Sequence, residues 1–63
     1  MDRAAAIAEL PEAYATALRL TDDGADDKAI AEQLGIAEEA VGPLLRVASA
    51  KLAHVLTTTG QEA

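Results

Sequence analysis

The chain has 63 residues, a net charge of −6 and no cysteine. It therefore accommodates one domain, residues 1–63, and excludes a disulfide scaffold or a thiolate metal site. Eleven acids and five bases give a negative net charge. Most duplex-binding domains carry a positive charge instead, because they gain affinity by neutralising phosphates.

Sixteen residues are alanine and Tyr14 is the only aromatic residue, so few large side chains remain to build a core. A core this small favours association with a second copy or with a partner. The apolar runs are too short to span a membrane, and Glu9, Pro11 and Glu12 interrupt the alanine-rich N-terminus. We therefore expect no signal peptide, no membrane partner and a cytoplasmic location.

Glycine and proline positions divide the chain into four predicted helices, and no segment alternates as a strand does. The expected class is all-α, a small bundle of three to four helices. We expect the helices at about residues 3–9, 11–22, 26–34 and 38–56, followed by a frayed tail over 57–63.

The first predicted helix is short and carries Ile7, with Leu10 following it. Pro11 suits the first turn of the second helix, where a missing N–H costs nothing. Glu12 is favoured beside it by the positive end of the helix dipole.

The third predicted helix begins near Asp26, whose carboxylate can cap its first turn. Its inward positions are Ile30, Ala31 and Leu34. Gly35 ends it, because glycine takes the left-handed conformation without strain, and we expect Ile36 to pack into the core across the turn.

The fourth predicted helix carries one continuous apolar stripe, formed by Val41, Leu45, Ala48, Leu52 and Val55. If this helix begins at Glu38, Pro43 lies beyond its first turn and costs about 3 kcal/mol. The helix is then expected either to kink there or to begin afresh at Pro43.

The segment ALRLTDDGADDKAIAEQLGI combines a helix, an acidic glycine turn and the spacing K-x-I-A-x-x-L-G-I. With the entry Leu10–Tyr14 and with Val41 and Leu52 downstream, it resembles the helix-turn-helix of LuxR-type regulators and of region 4 of sigma-70-family factors. The resemblance covers roughly residues 10–52, and I-A-x-x-L-G-I is its most specific part.

This resemblance implies work in transcription in a bacterial cytoplasm, with the helix after the turn lying in the major groove of double-stranded DNA. The residues that the resemblance places at DNA are Lys28, Glu39, Gly42, Arg46 and Lys51. Because so few of these are basic, DNA binding is expected to need a dimer.

The sequence departs from the family pattern at the start of that recognition helix. Ala37 stands where a Ser or Thr cap is usual, and Ala40 and Gly42 replace residues that are commonly polar or basic. Glu38 and Glu39 occupy the helix N-terminus that would otherwise hold a phosphate. The helix-turn-helix is therefore expected to have a depleted DNA-contact face.

The alternative function is a protein-interaction module that keeps the fold but not DNA binding. The candidate interface residues are Ala40, Leu44 and Val47, and the partner would be a transcription component or a second copy. Leu44 and Val47 could equally complete the core, because scattered surface apolar residues are ordinary.

No nucleophile–base pair, glycine-rich phosphate loop or metal-ligand cluster occurs in the sequence, so we expect neither an enzyme nor a cofactor. His54 stands alone and is interpreted as a solvent-facing residue. The aspartates between 22 and 27 lack the spacing of a calcium loop and fit turn and cap positions.

Overall fold

The computed structural model describes residues 2–61, with side chains described for 2–57. The elements are helices α1 (Arg3–Ala8), α2 (Glu12–Asp22) and α3 (Asp27–Leu34), a 3-10 turn (Glu38–Ala40) and helix α4 (Val41–Gln61). No strand occurs in this part of the chain. The predicted all-α class is confirmed, as a small four-helix bundle.

Side-chain caps begin two of the helices. The Asp2 carboxylate accepts a hydrogen bond from the Ala5 amide at 2.8 Å, and Asp26 accepts one from the Ala29 amide at 2.9 Å. Each satisfies an amide that has no partner within the helix. The cap predicted at Asp26 is confirmed, and α3 starts one residue later than expected.

Gly35 ends α3 in the left-handed conformation, with φ at +69°. The Ile36 amide then donates back to the Ala31 carbonyl at 3.1 Å. These two features end α3 and turn the chain toward the 3-10 segment that precedes α4. The side chain of Ile36 is 36% exposed, so the prediction that it packs into the core is wrong.

Two glycine substitutions separate backbone strain from steric crowding. An added Cβ would meet no atom within 4 Å at Gly35 or at Gly42, but only Gly35 has a positive φ. We expect Gly35→Ala to destabilise the fold by about 1–2 kcal/mol. Gly42→Ala, within α4, should stabilise it by about 0.5–1 kcal/mol. Urea unfolding followed by circular dichroism measures both, and equal effects would contradict this assignment.

At the segment around Pro43, the start of the long helix differs from the predicted one. The 3-10 turn ends at Ala40 and α4 begins at Val41, two residues before Pro43. Pro43 therefore lies in the first turn of α4, where the N–H that proline lacks would have no partner within the helix. The expected cost of about 3 kcal/mol does not arise, and the helix begins afresh at Val41 rather than at Pro43.

Two clusters of buried side chains hold the helices together. The first joins α1, α2 and α4, and consists of Ala6, Ile7, Leu10, Ala15, Leu18, Ala48 and Leu52. The second joins α2, α3 and the start of α4, and consists of Ala17, Ile30, Ala31 and Val41. Leu45 packs against both clusters. Each predicted stripe position of α4 is buried or half-buried, so that prediction is confirmed.

Helix α4 is the longest element and gives the molecule its extended shape, with principal extents of 39 × 19 × 16 Å. It continues to Gln61, five residues beyond the expected end at 56. The predicted helix end at residue 56 is therefore wrong, and residues 62 and 63 of the predicted frayed tail over 57–63 lie outside the described part.

A bidentate ion pair joins the start of α1 to the end of α2. The Arg3 guanidinium donates to Asp22 from Nε to Oδ2 at 3.0 Å and from Nη2 to Oδ1 at 3.1 Å. The hydrogen bond from Arg3 holds the pKa of Asp22 below its usual value of 3.8. Both side chains are largely exposed to solvent, so salt screens the pair.

The depressed pKa of Asp22 predicts a pH-dependent contribution to stability. The stabilisation is fully present above pH 3.8 and is lost as the pH falls through the lower folded-state pKa. We expect Asp22→Asn to lower the free energy of unfolding at neutral pH but not in strong acid. The control is Asp23→Asn, which removes the same charge from the adjacent residue. A pH-independent difference between Asp22→Asn and the wild type would contradict the ion pair.

Candidate interaction surfaces

The first candidate surface is the predicted DNA-reading face, which lies on the 3-10 turn and the first turn of α4. Val41 is fully buried and anchors this segment against α2 and α3. The exposed residues around that anchor are Glu38, Glu39, Ala40, Gly42 and Pro43. Two of the five are acids and none is a base, so this surface is anionic and otherwise small or apolar.

Glu38 and Glu39 both lie in the first turn after Ala37, which is extended and provides no side-chain cap. The amides of a helix start carry partial positive charge that attracts anions. Here two covalently attached carboxylates occupy that position. A phosphate approaching it would meet two negative charges before it reached an amide.

The three predicted DNA-contacting bases lie on two helices, and the two on α4 do not share one face of it. The Lys51 ammonium lies over the Tyr14 ring of α2, 5.5 Å from its centroid, in a solvent-exposed cation–π contact. Arg46 is exposed on α4 five residues earlier, about 140° around the helix from Lys51. Lys28 is exposed near the start of α3.

The three predicted interface residues also separate. Leu44 is half-buried and packs against the second core cluster, so its substitution would test stability. Val47 is 45% exposed and Ala40 is exposed. The sequence left a choice between core and surface for Leu44 and Val47. Leu44 packs against the core, and Val47 lies at the surface.

Val47 forms one wall of an open groove of about 490 Å³ between α4 and the corner that joins α1 to α2. The residues that line it are Leu10, Pro11, Val47, Ala50, Lys51, His54 and Val55. Sequence reasoning missed this groove. The signal for its α4 side was the i, i+3, i+7 spacing of Val47, Ala50 and His54; the opposite wall depends on how α1 and α2 pack.

The remaining chemistry of the described residues is sparse. No group of three or more His, Asp or Glu side chains among them could hold a metal ion. None of the described helices combines the length and the apolar character needed to cross a membrane. The described part of the chain contains no buried polar or charged side chain.

Comparison of the sequence and fold with protein-family models, with curated proteins and with solved structures gave no match.

Proposed function

We propose that this chain is a helix-turn-helix domain that acts in bacterial transcription by contacting protein rather than by reading DNA. The resemblance to LuxR-type and sigma region 4 domains carries the link to transcription and to the cytoplasm. The short reversal at Gly35 and the packing of the 3-10 turn on α3 support the helix-turn-helix assignment.

The observation that carries the proposed loss of DNA reading is the composition of the presumed reading face. Its exposed start carries Glu38 and Glu39, and Lys51 lies about 140° around α4 from Arg46. Phosphate neutralisation supplies most of the affinity of duplex-binding proteins. A face with two acids beside Arg46 cannot supply that term, and the net charge of −6 opposes approach to DNA as well.

Fluorescence anisotropy with a labelled mixed-sequence duplex tests this proposal. We expect a dissociation constant above about 0.1 mM at physiological salt. That value is the weak limit of nonspecific duplex binding. Arg46→Ala should change this weak signal little. Submicromolar binding that prefers one sequence and is lost in Arg46→Ala would overturn the proposal.

A DNA-binding dimer is the second candidate function, and one observation favours it. Residues 41–61 contain no Asp or Glu but contain two bases, Arg46 and Lys51. Two copies would double these bases and could place them along one duplex. A fraction of bound duplex that rises cooperatively with protein concentration, together with a dimer in analytical ultracentrifugation, would favour this candidate.

A further inference from the structure

The groove between α4 and the α1–α2 corner differs in chemistry from the rest of the surface. Its walls are mostly apolar, from Leu10 and Pro11 on one side and Val47, Ala50 and Val55 on the other. Among the described side chains that line it, Lys51 is the one formally charged residue and none is an acid. Concave apolar sites with a few placed polar groups are typical of binding sites.

Charge is divided sharply along the chain. Ten of the eleven acids lie in residues 1–40, and the remaining one is Glu62. Helix α4 therefore presents Arg46, Lys51 and His54 without an acid among its own residues. Glu9 and Glu12 flank the Leu10–Pro11 wall in sequence but do not line the groove. The groove is thus a locally cationic apolar site on an anionic domain.

We infer that this groove binds an amphipathic segment of another protein whose apolar anchors are flanked by carboxylates. The apolar side chains enter between Val47 and the Leu10–Pro11 corner, and a carboxylate pairs with Lys51. Helical segments commonly dock in this way, with anchors at i, i+3, i+4 and i+7. This inference deepens the proposed function, because it rests on the domain contacting protein and names the chemistry of the partner.

The size of the groove favours a segment over a second copy of this chain. Seven residues line the groove, whereas a standard interface between two proteins uses roughly 20–30 residues on each side. Two copies would also each carry a charge of −6, which opposes their approach. The few side chains of a helix anchor match the groove more closely.

The experiment uses two synthetic helical peptides with identical leucine anchors, one with glutamates on its flanks and its twin with lysines. Amide NMR titration of the full chain locates the binding. We expect the glutamate peptide to shift amides of Val47, Ala50 and His54 and to bind roughly fivefold more tightly than its twin at low salt. Lys51→Glu should reverse that preference.

A matched pair of variants tests the position of the site. Val47→Asp places a negative charge in the groove and should weaken binding of the glutamate peptide at least about tenfold. Ala53→Asp adds the same charge at an exposed position of α4 that does not line the groove, and should weaken it much less. Circular dichroism confirms that both variants fold, since neither residue is buried.

Three outcomes overturn the inference. These are binding of neither peptide, equal weakening by Val47→Asp and Ala53→Asp, and a dimer in analytical ultracentrifugation that competes with the peptide. Failure of the proposed function looks different: a duplex would then shift amides of residues 38–46, whatever happens in the groove.

Discussion

Ile30→Ala is expected to leave the domain largely unfolded in water at room temperature. Ile30 is 1% exposed and lies in the second core cluster between α2, α3 and α4. Truncating a buried isoleucine to alanine costs about 2–5 kcal/mol through lost transfer energy and the cavity left behind. A core of this size supplies only roughly 3–5 kcal/mol in total. Far-UV circular dichroism during urea titration measures the loss.

Ile36→Ala is the matched control for Ile30→Ala, because it removes the same atoms from a residue six positions later. Ile36 is 36% exposed, so the expected loss is only about 1 kcal/mol. Equal destabilisation by the two substitutions would contradict the placement of Ile36 at the surface of the turn.

Glu39→Lys combined with Gly42→Lys is expected to create measurable duplex binding. Both positions are exposed, a side chain at Gly42 meets no atom within 4 Å, and Pro43 leaves the start of α4 intact. The two lysines can add about two phosphate contacts, which steepens the dependence of log affinity on log salt by about 1.8. Fluorescence anisotropy at several salt concentrations measures this slope.

Ala8→Lys combined with Glu9→Lys changes the net charge by the same amount, +3, at exposed positions of α1 and its C-cap. Helix α1 contacts neither α3 nor the 3-10 turn, so these lysines lie away from the presumed reading face. If this control binds the duplex as well as the reading-face variant does, the gain reflects net charge alone. The reading face would then have no geometric role.

The parts of the fold that the sequence predicted well are those governed by local rules. The Asp26 cap and the glycine end at Gly35 each depend on a few neighbouring residues. The apolar stripe of α4 follows from helical periodicity. Local geometry fixes these features wherever the helices pack, so periodicity and end signals were sufficient to place them.

The parts that were predicted wrongly, or missed, depend on tertiary packing. Because the 3-10 turn precedes it, α4 starts at Val41. Pro43 therefore lies in its first turn and does not carry the cost of a proline inside a helix. The sequence left open whether Leu44 and Val47, three residues apart on one helix, join the core, and packing against the second core cluster half-buries the first and leaves the second exposed. The groove needs the α1–α2 corner opposite α4, and no pattern within a single helix indicates that arrangement.

The most direct test of protein contact in place of DNA reading is an amide NMR titration of the wild-type chain with a mixed-sequence duplex at low salt. We expect the amides of residues 38–46 to keep their positions, because Glu38 and Glu39 repel phosphate when screening is weakest. Shifts across residues 38–46 that disappear as salt is added would contradict the proposal and establish a DNA-binding domain.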